Sequence, residues 1–269
     1  MQQTSFQGNT MGWLDDGEGM PVVLLHGFCE TAKMWDDFTT HLPGYRFIRP
    51  NLPGATPSAL PDMPLTIEYM ADAVATVLDA CKVHNAAVIG HSMGGYVALA
   101  FAEKYPNRLL GLGLFHSHPF ADSPEKREVR NKHIAFVLHN GPIMYAKQLF
   151  PSLFAPELRA DHRMTLEKLK HEVVQAYTAK GIIAQLEAMR ERPDRSEILK
   201  RLCKPVWMLI GEKDPAISLE LSMQMTHLPE NADIHLLPQV GHMGMFTATR
   251  QTARLLRSWL RALQSMKDS

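Results

Sequence analysis

The residues with the most chemical content are Gly90-His91-Ser92-Met93-Gly94, followed by a further Gly95. This is a G-x-S-x-G pattern with an apolar run (86–89) before it and a helical pattern after it. At such a strand-to-helix elbow the central residue adopts a strained backbone that lifts its side chain clear. Gly90 and Gly94 stand where a Cβ would strike neighbouring chain. A helix N-terminus also aims free N–H groups and positive partial charge beside Ser92. The plain alternative is a serine that merely caps the helix.

A serine hydroxyl is a poor nucleophile at neutral pH; it needs a base, and the base needs an orienting acid. Asp214 lies in Gly211-Glu212-Lys213-Asp214-Pro215, directly after the apolar run 206–210, and His242 lies in Val240-Gly241-His242, after the run 234–237. Glu212 is a nearby competing carboxylate, and His242 is one of 13 histidines. Position after a strand, in the order Ser, Asp, His, selects Asp214 and His242. His26-Gly27-Phe28-Cys29 follows the run 22–25. Acyl transfer builds negative charge on a carbonyl oxygen, and the N–H groups of Phe28 and Met93 are the expected oxyanion hole. His26 is expected to bond nearby backbone, and Cys29 to be a small buried hydrophobe.

These residues need a scaffold. Apolar runs at 22–25, 45–49, 86–89, 109–115, 206–210 and 234–237 alternate with helical patterns at 66–81, 93–104 and 249–263. That alternation predicts an α/β fold with a mostly parallel sheet flanked by helices. Residues 5–14, with Gly8-Asn9 near their centre, suggest an N-terminal hairpin. Residues 116–202 show helical periodicity and turn signals (Gly141-Pro142, Phe150-Pro151, Ala155-Pro156, Arg192-Pro193) but no convincing strand. The expected division is a core of residues 1–115 and 203–269 with a helical lid, or cap, inserted at 116–202. Phe136, Met144, Leu149, Phe150 and Phe154 of the insertion, with Met243 beside His242, are candidates for the substrate-binding wall. The alternative for each is packing of the insertion onto the sheet. Nothing in the insertion is read as holding a charged substrate group.

The ordered set His26-Gly27-Phe28, Asn51-Leu52-Pro53-Gly54, Gly90 to Gly95, Gly211-Glu212-Lys213-Asp214 and Gly241-His242 resembles a lid-bearing serine hydrolase of the α/β-hydrolase superfamily along essentially the whole chain. The resemblance is specific for fold and poorly specific for substrate. Haloalkane dehalogenases and epoxide hydrolases of this fold carry Asp where this chain has Ser92, so it speaks against both. The pattern implies cleavage of a small-to-medium carboxylic ester through an acyl-enzyme, with no cofactor and no metal. His116-x-His118 lacks further ligands at metal-binding spacing. The alternatives are carbon–carbon bond hydrolysis, peracid formation or acyl transfer on the same triad, or a small-molecule receptor with a vestigial triad.

Composition narrows the partners. The 269 residues are 45% hydrophobic and 21% charged, with 28 Lys+Arg against 28 Asp+Glu. A balanced charge gives no bulk field for nucleic acid or anionic lipid, so the expected partner is a small acyl compound. Arg250, Arg254, Arg257 and Arg261 read as the wet face of a terminal helix. Three cysteines without a C-x-x-C pair, and Met1 to Thr10 without a signal-peptide pattern, suggest a reducing, cytoplasmic setting. The longest apolar stretch, 109–115, is too short to cross a bilayer. Oligomeric state stays open.

Overall fold

A computed structural model describes residues 1–268. Its strands are β1 (Gln2–Phe6), β2 (Asn9–Asp16), β3 (Met20–Leu25), β4 (Tyr45–Pro50), β5 (Ala86–His91), β6 (Leu109–Phe115), β7 (Val206–Gly211) and β8 (Ala232–Leu237). Its helices are α1 (Asp36–Thr40), α2 (Ile67–Ala80), α3 (Met93–Lys104), α4 (Pro124–Leu153), α5 (Arg163–Ala176), α6 (Ala179–Glu191), α7 (Ser196–Arg201), α8 (Leu219–Met225), α9 (Gly244–Thr247) and α10 (Thr249–Asp268).

The strands form one 8-stranded sheet in the order β1-β2-β4-β3-β5-β6-β7-β8. The β1–β2 hairpin joins antiparallel, as does β2 to β4, and every other pairing is parallel. The apolar runs become strands because parallel strands are covered on both faces and need no alternation. All of β5 and β7 is buried, whereas edge strand β1 is half-exposed. Helix α2 packs with α3, and α1 with α10. Thr66 caps α2 by accepting the Tyr69 N–H. On α10, Leu256, Trp259, Leu260 and Leu263 are buried while Arg250, Arg254 and Arg261 are exposed and Arg257 is half-buried. A Cβ on Gly111 would press on Trp259 and Leu263, so that glycine lets α10 lie directly on β6.

Between β6 and β7 the chain is helical, built of α4 to α7 and a 3-10 turn at Pro156–Leu158. Helix α4 packs against α5 and α6. It breaks at Gly141 (φ 77°, ψ 173°), where Pro142 also removes a backbone donor. Ser123 caps α4 by accepting the Lys126 N–H, so Lys126, Arg130 and His133 follow at spacings that share one helix face.

Candidate active site

The elbow sits at the end of β5. Ser92 has φ 50° and ψ −114°, a backbone that L residues rarely hold. Its N–H donates to Phe115 O (3.1 Å), and its carbonyl accepts from Gly95 N (2.9 Å) and Ser117 Oγ (2.8 Å). A Cβ on Gly90 would fall inside the backbone of Gly94, and one on Gly94 would meet Leu25 O and His26 O. Both glycines are therefore required sterically. The Ser92 hydroxyl makes no capping bond, which disposes of the serine-cap alternative. Cys29 (φ 60°) and His116 (φ 48°) hold the same kind of backbone at the exits of β3 and β6. Strain thus gathers at the carboxyl ends of adjacent strands.

Asp214 and His242 meet although 28 residues separate them: His242 Nδ1–H donates to Asp214 Oδ2 at 2.7 Å. Asp214 Oδ1 accepts the N–H groups of Ala216 (2.8 Å) and Ile217 (3.0 Å), so the turn after β7 fixes both carboxylate oxygens. Burial alone would raise the Asp214 pKa. The His242 charge and hydrogen bond, with His116 and the Ile217 N–H, outweigh it and hold the carboxyl below its usual range. Glu212, the competing carboxylate, faces solvent. His116 Nδ1 lies 3.9 Å from Asp214 Oδ2. Burial drives the His116 pKa down to about 3, against the pull of the Asp214 carboxylate.

Beneath these residues lies a buried layer whose pairing the sequence did not announce. Glu30 Oε2 accepts the Gly27 N–H (2.6 Å) and the His91 Nδ1–H (2.9 Å). His91 Nε2–H donates to the backbone oxygen of His242 (3.0 Å). Tyr177 OH donates to Glu30 O (2.7 Å). Burial opposes charge on both partners. The Glu30 carboxylate nonetheless holds His91 above its ordinary value, and His91 holds Glu30 below its own. His26 bonds the backbone as expected, Nδ1–H to Gly27 O (2.7 Å) while Nε2 accepts the Leu52 N–H (2.9 Å). Asn51 Oδ1 accepts the Ala32 N–H (2.8 Å) and steadies the same loop. Cys29 is buried, and burial pushes its thiol pKa well up.

Ser92 and His242 open on one cavity of about 250 Å³, below the usual range for drug-sized ligands and suited to a small substrate. Neither Ser92 Oγ nor His242 Nε2 has a hydrogen-bond partner among the described residues. The N–H groups of Phe28 and Met93 likewise enter no turn, cap or loop backbone bond there. Phe28 and Leu149 lie on the cavity wall. The other expected wall residues lie elsewhere. Met144 is 48% exposed because the break at Gly141 rephases α4 and turns Tyr145 inward instead. Phe150, Phe154 and Met243 are fully buried in the core, and Phe136 packs on Tyr145. In their place the wall carries Tyr96, His118, Tyr145 and Ile217, with Lys126 and Arg130 from α4. Cationic residues of the insertion therefore do reach the cavity, contrary to the sequence expectation.

A family model described as the alpha/beta hydrolase fold matches residues 20–249. A thermophilic esterase from Thermogutta terrifontis, solved with malate bound, superposes with TM-score 0.90 at 31% identity, covering 98% of this chain and 99% of that one. Lipase 3 of Moraxella sp. (strain TA144) is 25% identical over 258 residues, 89% of this chain and 76% of the lipase. A 2-hydroxy-6-oxo-6-phenylhexa-2,4-dienoate hydrolase of Burkholderia cepacia is 27% identical over 268 residues, 91% of this chain and 89% of that enzyme. With the matched span, sheet order and elbow in agreement, the chain belongs to the α/β-hydrolase fold family. These three relatives are an esterase, a lipase and a dienoate hydrolase. Among the described residues no helix is long and apolar enough to cross a membrane.

Proposed function

We propose that this chain is a serine hydrolase cleaving small carboxylic esters, with Ser92 as nucleophile, His242 as base and Asp214 as orienting acid. The observation that carries this reading is the 2.7 Å His242–Asp214 bond beside a cavity into which an uncapped Ser92 opens. Asp214 accepts the Nδ1 proton, which leaves Nε2 of neutral His242 as a lone pair for the Ser92 proton. As Ser92 Oγ bonds to the acyl carbon, the carbonyl oxygen becomes an oxyanion held by the Phe28 and Met93 N–H groups. His242 returns the proton to the departing alkoxide. Water then attacks the acyl-enzyme, giving its proton to His242, and Ser92 regains its own.

Similarity to an esterase and a lipase favours ester substrates. A second reading, hydrolysis of a carbon–carbon bond in a vinylogous diketone, is favoured by the likeness to the dienoate hydrolase. The helices between β6 and β7 would serve as the lid that shapes the pocket, and a reducing compartment suits the two buried, unpaired cysteines Cys29 and Cys81. The test is labelling with a fluorophosphonate, mapping of the labelled residue, and turnover of p-nitrophenyl esters beside a vinylogous diketone. Label on Ser92 with ester turnover is the expected result; absence of label with absence of turnover rejects the hydrolase reading.

A further inference from the structure

The cavity has a cationic side that ester hydrolysis does not require. Lys126 and Arg130 stand on its wall one helical turn apart on α4. Arg130 spends its Nε–H on Asp122 Oδ2 (2.8 Å), and no other hydrogen bond of its guanidinium is formed with the described residues. The second oxygen of Asp122 is taken by Arg192 Nη1 (2.7 Å), whose guanidinium also lies 3.9 Å over the Tyr96 ring. One carboxylate thus serves two guanidiniums. Lys126 Nζ has no hydrogen bond or ion pair with any described residue. Glu30 is the sole carboxylate on the wall among the described residues, and its charge is matched by His91.

The surplus is felt by its neighbours. Burial lowers the His133 pKa, and the charges of Arg130 and Lys126 lower it further. Lys126 itself is lowered by burial and then by Arg130. Cations that depress one another's pKa values in a confined space gain when an anion enters. Arg130 offers unused N–H donors in a planar fork, the geometry that suits a carboxylate.

We propose that the cavity selects esters carrying a free carboxylate, namely half-esters of short dicarboxylic acids. Lys126 and Arg130 bind the carboxylate while the ester carbonyl meets Ser92. This rests on the serine-hydrolase reading of the same cavity. The reaction balances as simple hydrolysis: water adds across the acyl C–O bond, giving the dicarboxylate, the alcohol and one released proton. The small cavity limits the acid to a short chain, and the free carboxylate supplies the counter-charge that Asp122 leaves lacking.

Two measurements on the full chain separate this inference from the reading beneath it. Calorimetric titration compares glutarate with its neutral isostere glutaramide. Glutarate is expected to bind about tenfold or more tightly, as for a charge-assisted pair. That preference should be lost in Lys126→Met, which breaks no side-chain hydrogen bond or ion pair with the described residues, and inverted in Lys126→Glu. Arg130→Gln should lose it too. Equal binding of the two compounds, no binding of either, or an unchanged preference in Lys126→Met overturns the carboxylate site. Turnover is then compared for monomethyl and dimethyl glutarate. A higher kcat/KM for the half-ester, carried mainly by a lower KM, supports the inference, and equal or faster cleavage of the dimethyl ester overturns it. Selective glutarate binding with neither ester cleaved and Ser92 unlabelled leaves the anion site standing and rejects the hydrolase.

Discussion

His91 and Glu30, 61 residues apart in sequence and each about 1% exposed, form a buried ion pair 2.9 Å long. Hydrogen bonds orient both ring nitrogens. A carbonyl can only accept, so His91 Nε2 donates to His242 O; Nδ1 donates to a carboxylate already accepting the Gly27 N–H. The Glu30 carboxylate holds His91 above its ordinary value, and the pair ties the Gly27–Glu30 loop to the loop of the proposed base.

Removing one partner strands the other's charge in the interior. Glu30→Gln and His91→Gln should each destabilise the fold by roughly 3–5 kcal/mol, the range for a broken buried pair. Chemical denaturation measures this. In whatever folded fraction remains, kcat should fall more than KM rises, because the proposed oxyanion donors lose their register. A loss of stability below about 1 kcal/mol would show that the pair is not ionised.

The same pair sets a pH window. Glu30 sits below its ordinary 4.5, so its share of stability is present above that value and is lost as pH falls through the lowered pKa. His91 sits above its ordinary 6.5, so its share is complete below 6.5 and is lost as pH rises through the raised pKa. Relative to a Glu30→Gln/His91→Gln double variant, wild-type Tm should be highest between about 4.5 and 6.5 and decline on both sides. A scanning-fluorimetry series across pH reads the difference directly.

At the proposed nucleophile, Ser92→Ala should lose about 10³-fold or more in kcat with the fold intact by circular dichroism. Asp214→Asn should also be severely impaired. Its amide cannot hold the Nδ1–H tautomer of His242, although the turn donors of Ala216 and Ile217 keep an oxygen to bond.

Gly90→Ala is expected to abolish soluble expression or cost more than about 4 kcal/mol, since the new methyl would occupy the backbone of Gly94 and neither strand nor helix can give way. Native-like stability in that variant would mean that the elbow is looser than described.

Thiol chemistry gives an independent check on the loop that carries Cys29. Cys203 is exposed whereas Cys29 and Cys81 are buried, and burial raises both buried thiols, Cys81 to about 12. Iodoacetamide at neutral pH should modify Cys203 alone in the native protein and all three cysteines after unfolding, as read by mass spectrometry.

Much of the scaffold was legible because its signals are local. The apolar runs and the helical patterns each depend on a few neighbouring residues, and the observed strands match the runs to within a residue or two. The meeting of Asp214 and His242 was also legible, since position after a strand fixes which end of the sheet a residue occupies. Glu30 was invisible because its meaning lies in a partner 61 residues away. Lys126, Arg130 and His133 did carry a signal, their shared helix face, but charges on a helix ordinarily read as solvated. The aromatic residues chosen for the wall failed for a packing reason: Phe150 and Phe154 are apolar enough to be drawn into the core, leaving the cavity to amphipathic side chains such as Tyr96 and Tyr145.

The last residue of α4 carries a further implication. Leu153 borders the cavity, and its carbonyl accepts the backbone N–H of His242 at 3.2 Å. The second half of this helix is thereby bonded directly to the main chain that carries the His242 imidazole. The break at Gly141 makes that half a separate helical segment, so the stretch bordering the pocket and the main chain of His242 share one backbone hydrogen bond.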